Sequence, residues 1–137
     1  MSHVVRIPVR FGEVDSARIV YYPNHFHYCH IAMEETFREA IGIAYADLLG
    51  KERLGFPAVH LDADFVETAA YGDTLAVAVS VPEVGRTSAT FLFEASRASD
   101  GTAVFRAKVK TVCVDMDRWV PVPVPEKYRV AFARLGP

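Results

Sequence analysis

One carboxylate and one helix start share the loop-like segment from Phe11 to Asn24: Asp15 stands seven residues before Tyr22, and Tyr22 directly precedes Pro23. A carboxylate held in a loop can act as a nucleophile or as a general base for water. Pro23 suits a turn or the first position of a helix, where its fixed φ fits and its missing N–H is not needed. A helix N-terminus offers free backbone N–H groups and the positive end of the helix dipole, so the Tyr22 N–H is a candidate donor to an oxygen on which negative charge develops. Together these groups fit attack on an activated carbonyl. Taken alone, Asp15-Ser16 is equally ordinary turn chemistry, in which the aspartate accepts a bond from nearby backbone.

Further polar residues crowd the helix start. His25 adjoins Asn24 and fits either a substrate contact or a plain hydrogen bond to backbone, and His27, His30 and Glu34 follow at helical spacing. Residues three and four apart share a helix face, so His27, His30 and Glu34 could line up as metal ligands, but a solvent face or subunit contact explains them equally well. Asp64 interrupts an apolar strand and could reach a neighbouring subunit's pocket, though an outward-facing strand residue explains it equally well. Arg106, Lys108 and Lys110 alternate along one strand face, as either an anion contact or a solvated sheet surface.

The elements that must hold these residues are legible from periodicity. Val4 to Phe11 reads as a first strand, with Pro8 placing it near a sheet edge. From His25 to Gly42, Phe26, Cys29, Met33, Phe37, Ala40 and Ile41 recur every three or four residues, which predicts one long helix with a buried face and a glycine stop. Ala44 to Leu49 forms a short helical turn. From Val59 the period falls to two. Strands are expected over Val59–Phe65, Leu75–Val81, Thr87–Ala95 and Thr102–Asp115, with turns at Tyr71-Gly72-Asp73 and Ser99-Asp100-Gly101. Trp119 to Pro125 is extended, and Glu126 to Leu135 forms a terminal helix. The sum is an α+β domain: four long strands in meander cover a single helix.

Composition bounds the rest. At 137 residues, 51% hydrophobic, the chain is expected to form one domain over 1–137. A formal net charge of −2 gives no drive toward nucleic acid or an anionic membrane, so an anionic ligand must be met by local cations. The two cysteines, Cys29 and Cys113, make no CxxC pair and read as free, buried thiols of a reducing cytoplasm. The first ten residues lack a signal-peptide pattern and no stretch is apolar for the roughly 18 residues a membrane span needs, so a cytoplasmic protein is expected.

The run Phe11-Gly12-Glu13-Val14-Asp15, then Ile19-Val20-Tyr21-Tyr22-Pro23-Asn24, resembles the active-site stretch of the 4-hydroxybenzoyl-CoA thioesterase family. Phe65-Val66-Glu67-Thr68-Ala69-Ala70-Tyr71-Gly72-Asp73 and Gly85-Arg86-Thr87-Ser88 resemble later family segments, so the likeness spans roughly residues 6 to 125. It implies a hotdog fold, an antiparallel β-sheet wrapped around one long central α-helix, and hydrolysis of a small aromatic or short acyl-CoA thioester. Asp15 would be nucleophile or general base and the Tyr22 N–H the oxyanion donor; Asn24, His25 and Arg86 would bind substrate. No metal or bound redox cofactor is implied, since coenzyme A belongs to the substrate. The family assembles as dimers or dimers of dimers, and a homo-oligomer is expected here.

Arg18 departs from the pattern, because the family usually has glycine there. Two rivals share the fold. A hydratase or dehydratase would want an Asp-x4-His spacing, but the residue five beyond Asp15 is Val20. A non-catalytic acyl-CoA-binding domain would keep the pocket without turnover.

Overall fold

The structure is a computed structural model that describes residues 1–137. Strand β1 (His3–Pro8) leads through a short 3-10 turn at Phe11–Glu13 and an irregular loop into helix α1 (Asn24–Thr36). The expected long helix continues as a wider π-turn over Phe37–Ile41, in which the Gly42 N–H reaches back five residues to the Phe37 carbonyl at 2.7 Å. Gly42 then ends it at φ +96°, a conformation glycine adopts without steric penalty. A short helix α2 (Tyr45–Gly50) and strand β2 (Leu54–Gly55) precede the long strands β3 (Ala58–Phe65), β4 (Thr74–Val84), β5 (Ser88–Arg97) and β6 (Ala103–Val112). Strands β7 (Val114–Asp115) and β8 (Val120–Pro121) and helix α3 (Glu126–Arg134) complete the chain.

The main sheet is antiparallel, in the order β1-β4-β5-β6-β3. This corrects the expected four-strand meander. Only β4, β5 and β6 run as neighbours, while β3 pairs β6 at the far edge, with Phe65 opposite Phe105 and Ala63 opposite Ala107. The alternation within β3 is compatible with either neighbour, so it does not fix which strand β3 pairs. A second small sheet, β2-β7-β8, is absent from the sequence reading because its strands are two residues each, too short to show a period.

The core lies between α1 and the inner face of the sheet. Tyr28, Phe37, Phe91, Phe93, Phe105 and Phe132 are all fully buried or nearly so. Phe37 meets Phe56, Phe91 and Phe132 at centroid distances of 5.8, 6.3 and 6.0 Å, so one side chain at the end of α1 ties helix, sheet and α3 together. Along β6 the buried residues Phe105 and Ala107 alternate with exposed Arg106, Lys108 and Lys110, giving the apolar and cationic faces the sequence predicts. Cys29 and Cys113 are buried and free, with burial raising their thiols to about 12 and about 11.

Candidate active site

The head of α1 is built so that one backbone donor is left over. The Asn24, His25 and Phe26 N–H groups donate to the carbonyls of Tyr21, Tyr22 and Pro23 at 2.9, 3.1 and 3.1 Å. Pro23 has no N–H, and the Tyr22 N–H has no acceptor in the chain. The usual set of unsatisfied helix donors is thereby reduced to a single free N–H at the positive end of α1.

The loop that carries Tyr22 is fixed by Glu13, a residue the sequence reading passed over. Its backbone carbonyl accepts from the Tyr21 N–H at 2.9 Å and from Asn24 Nδ2 at 2.9 Å. Its carboxylate oxygen Oε1 accepts from the Arg10 N–H at 2.8 Å and from the hydroxyl of buried Tyr28 at 2.9 Å. The Tyr28 hydroxyl is held well above its ordinary range, first by burial and then by this carboxylate. A glutamate two positions before the loop carboxylate, followed by a helix that buries a tyrosine, was the available signal. Asn24, expected at the substrate, spends its side-chain N–H on this anchoring.

His25 is buried, and its Nδ1 donates to the Tyr22 carbonyl at 2.7 Å. The carbonyl can only accept, so the proton sits on Nδ1, and Nε2 has no partner in the chain. Burial lowers the pKa of the ring, partly offset by the bond to Tyr22. The imidazole lies edge-on between Phe65 and Phe105, at centroid distances of 4.9 and 5.0 Å. Tyr22 and His25 line a cavity of about 250 Å³ together with Ile19, Val20, Phe65 and the Val66–Ala69 segment. Glu67, in that segment, is held below the usual carboxylate range by the backbone N–H of Thr68.

Asp15 sits one loop away. The Val14–Val20 bridge and the Asp15 N–H bond to the Ile19 carbonyl, 3.0 Å, close a small projecting loop whose far side, Ile19 and Val20, lines the cavity. One carboxylate oxygen accepts from the Ala17 N–H at 2.8 Å, the turn geometry the bare sequence allows. Asp15 is exposed in the single chain and is not among the residues lining the cavity. Arg18 occupies the left-handed region at φ 68°, which accounts for a glycine preference at that position, and its guanidinium makes no ion pair with Asp15.

Arg86 is not brought to this site within one chain. It is exposed in the turn between β4 and β5, while the cavity lies at the opposite end of the strands, where Ala95, Phe105 and Phe65 are in register. Eight residues separate Thr87 from Ala95, roughly 26 Å at about 3.3 Å per residue. His27 and His30 are exposed; His30 pairs with Glu34 at 2.9 Å, and no three potential ligands gather to hold a metal ion. A larger apolar cavity of about 410 Å³ begins one helical turn beyond Tyr22, at Phe26, and runs along α1 past Cys29 and Met33 toward Met116 and Trp119.

Comparison with known proteins bears on the family and the fold. A family model described as the thioesterase-like superfamily matches residues 9–132. An acyl-CoA thioesterase YbgC of Haemophilus influenzae is 31% identical over 130 residues, 93% of each chain. A 1,4-dihydroxy-2-naphthoyl-CoA hydrolase of Nostoc punctiforme is 31% identical over 115 residues, 84% of this chain and 76% of its own. Among solved structures, a gentisyl-coenzyme A thioesterase superposes with a TM-score of 0.84 at 27% identity, covering 96% of this chain and 99% of its own. A 1,4-dihydroxy-2-naphthoyl-CoA thioesterase from Synechocystis, at 22% identity, shares the fold with a TM-score of 0.88 over 98% of both chains. The sheet wrapped on one long helix is the hotdog architecture, and the chain belongs to the thioesterase-like superfamily.

Proposed function

We propose that this protein hydrolyses an acyl-CoA thioester to the free acid and coenzyme A. The observation that carries the reading is the single unpaired N–H of Tyr22, at the head of α1, in a residue that lines a cavity of about 250 Å³. A thioester carbonyl seated there would lay its oxygen against that donor, and the developing negative charge would meet the positive end of the helix. Water supplies the incoming oxygen, either directly with Asp15 as general base or after Asp15 has formed and released an acyl intermediate; the thiolate leaves and takes up a proton as coenzyme A. Neither route calls for a metal or redox cofactor. His25 would bind the acyl end of the substrate, its neutral ring presenting Nε2 as an acceptor. Relatives that act on 1,4-dihydroxy-2-naphthoyl-CoA and gentisyl-CoA support an aromatic acyl group.

The reading includes a homo-oligomer, as a dimer or a pair of dimers. Edge strand β3 and the residue after it leave Val59, Leu61, Phe65 and Val66 between 40% and 63% exposed, and an open apolar edge of this kind calls for a partner strand. A second copy would also bring side chains to the exposed carboxylate of Asp15 and give Arg86 a site on the neighbouring chain. No helix is long and apolar enough to cross a membrane, and the cytoplasm is the proposed compartment. The direct test is thiol release from benzoyl-, phenylacetyl- and short aliphatic CoA esters, followed with a thiol reagent. Steady release with an aromatic preference is expected. Binding without release would replace hydrolysis with a sensing role.

A further inference from the structure

We infer that Arg18 is a contact for the phosphate groups of coenzyme A, an inference that rests on the acyl-CoA reading above. The starting observation is conformational. Arg18 holds φ 68° in a loop tip closed by the Val14–Val20 bridge and the Asp15–Ile19 backbone bond. An L-residue with a long side chain is disfavoured there and glycine is not, so the loop backbone itself gives no reason for an arginine at this position. Within the chain its side chain supplies nothing: Arg18 is exposed, and no hydrogen bond or ion pair reaches its guanidinium, although its backbone N–H closes the turn onto the Asp15 carbonyl at 2.9 Å.

Position and charge give that free guanidinium a purpose. The protein carries a formal charge of −2, so the anionic end of coenzyme A must be met by particular cations. The other cations near the cavity are engaged or turned elsewhere. Arg97 donates to the Thr68 carbonyl and pairs with Asp100 at 3.4 Å. Arg106 lies on the opposite face of β6 and pairs with Glu94 at 3.8 Å. Arg10 lines a separate groove with Glu13, Glu35 and Glu39. Arg86, some 26 Å away along the sheet of the same chain, would reach this site only from a second copy, so within one chain Arg18 is the free cation of the loop. Arg18 directly precedes Ile19, which lines the cavity, so the loop tip that carries its free guanidinium adjoins the cavity wall. On this inference a thioester held by the Tyr22 N–H leads its pantetheine arm past the loop of Arg18, where a planar guanidinium suits the phosphates at the end of it.

The test reads binding apart from turnover. Titration calorimetry with coenzyme A and with pantetheine, which has no phosphates, compares wild type with Arg18→Gly and Arg18→Lys. Arg18→Gly should weaken coenzyme A about 10-fold or more, the worth of a charge-assisted hydrogen bond, and leave pantetheine unaffected. Arg18→Lys should recover part of the loss, and the difference between the proteins should shrink as salt is raised. Arg18→Gly is compatible with the loop backbone, so it folds and its melting temperature rises. Equal coenzyme A affinity in wild type and Arg18→Gly overturns the inference, as does an equal loss for pantetheine, or unchanged affinity with a dissociated oligomer. Failure of the activity reading shows separately, as wild-type protein that releases no thiol from any acyl ester.

Discussion

The imidazole of His25 grips the residue whose N–H is left free: Nδ1 donates to the Tyr22 carbonyl at 2.7 Å while the Tyr22 N–H has no acceptor in the chain. A side chain in the first turn of α1 thus sets the orientation of the residue just before the helix. The same contact fixes the tautomer and leaves Nε2 unprotonated in a residue that lines the cavity.

Because burial holds His25 below the ordinary histidine value of about 6.5, the unfolded chain takes up a proton there before the folded chain does. Stability therefore falls as pH drops through about 6.5 and levels off once pH is below the folded value; above 6.5 the group contributes no slope. His25→Gln should flatten the difference in urea midpoint between pH 7.5 and pH 5 relative to wild type. Parallel pH profiles for the two proteins would remove His25 as the source.

Asp15→Asn should lower turnover on the order of 100-fold or more if the carboxylate supplies the acid–base or nucleophilic step. Asparagine keeps the side-chain oxygen that accepts from the Ala17 N–H, so the loop and the melting temperature should change little. Near-normal turnover in steady-state assays would end the assignment.

Glu13→Ala leaves the buried Tyr28 hydroxyl without its acceptor and should cost about 1–3 kcal/mol of unfolding free energy. In that background Tyr28→Phe should restore part of the loss, since the stranded hydroxyl is gone. Additive losses in the double-mutant cycle would show that the two side chains act independently.

Leu61→Lys places a charge on the open edge of β3, where the leucine is 40% exposed. Sedimentation should then show weakened self-association with the monomer still folded. An unchanged sedimentation profile would move the subunit contact away from β3.

Much of this molecule was readable before any coordinates. The spacing of Phe26, Cys29, Met33 and Phe37 places the start of α1 within one residue, because a buried helix face leaves a periodic trace, while the change to a π-turn at Phe37 leaves none. Pro23 before Asn24 marked the site of the free donor, since proline is a local constraint. The position of β3 was not readable: its alternation says which face is inward and nothing about which strand lies beside it. The separation of Arg86 from the cavity follows from that same long-range pairing. Glu13 escaped because its role depends on Tyr28, fifteen residues on, meeting it in space.

The crossing of β3 to the far edge of the sheet also bears on how the protein comes together. One wall of the cavity comes from residues 19–25 and the other from residues 65–69, and the second wall is carried by a strand whose only long neighbour, β6, is made some forty residues later. Pairings so distant along the chain form slowly, because loop closure must precede the contacts that reward it. A nascent chain halted before Ala103 could already wind α1 and expose the Tyr22 N–H, yet it would have no pocket behind that donor. Binding competence therefore arrives with the last long strand.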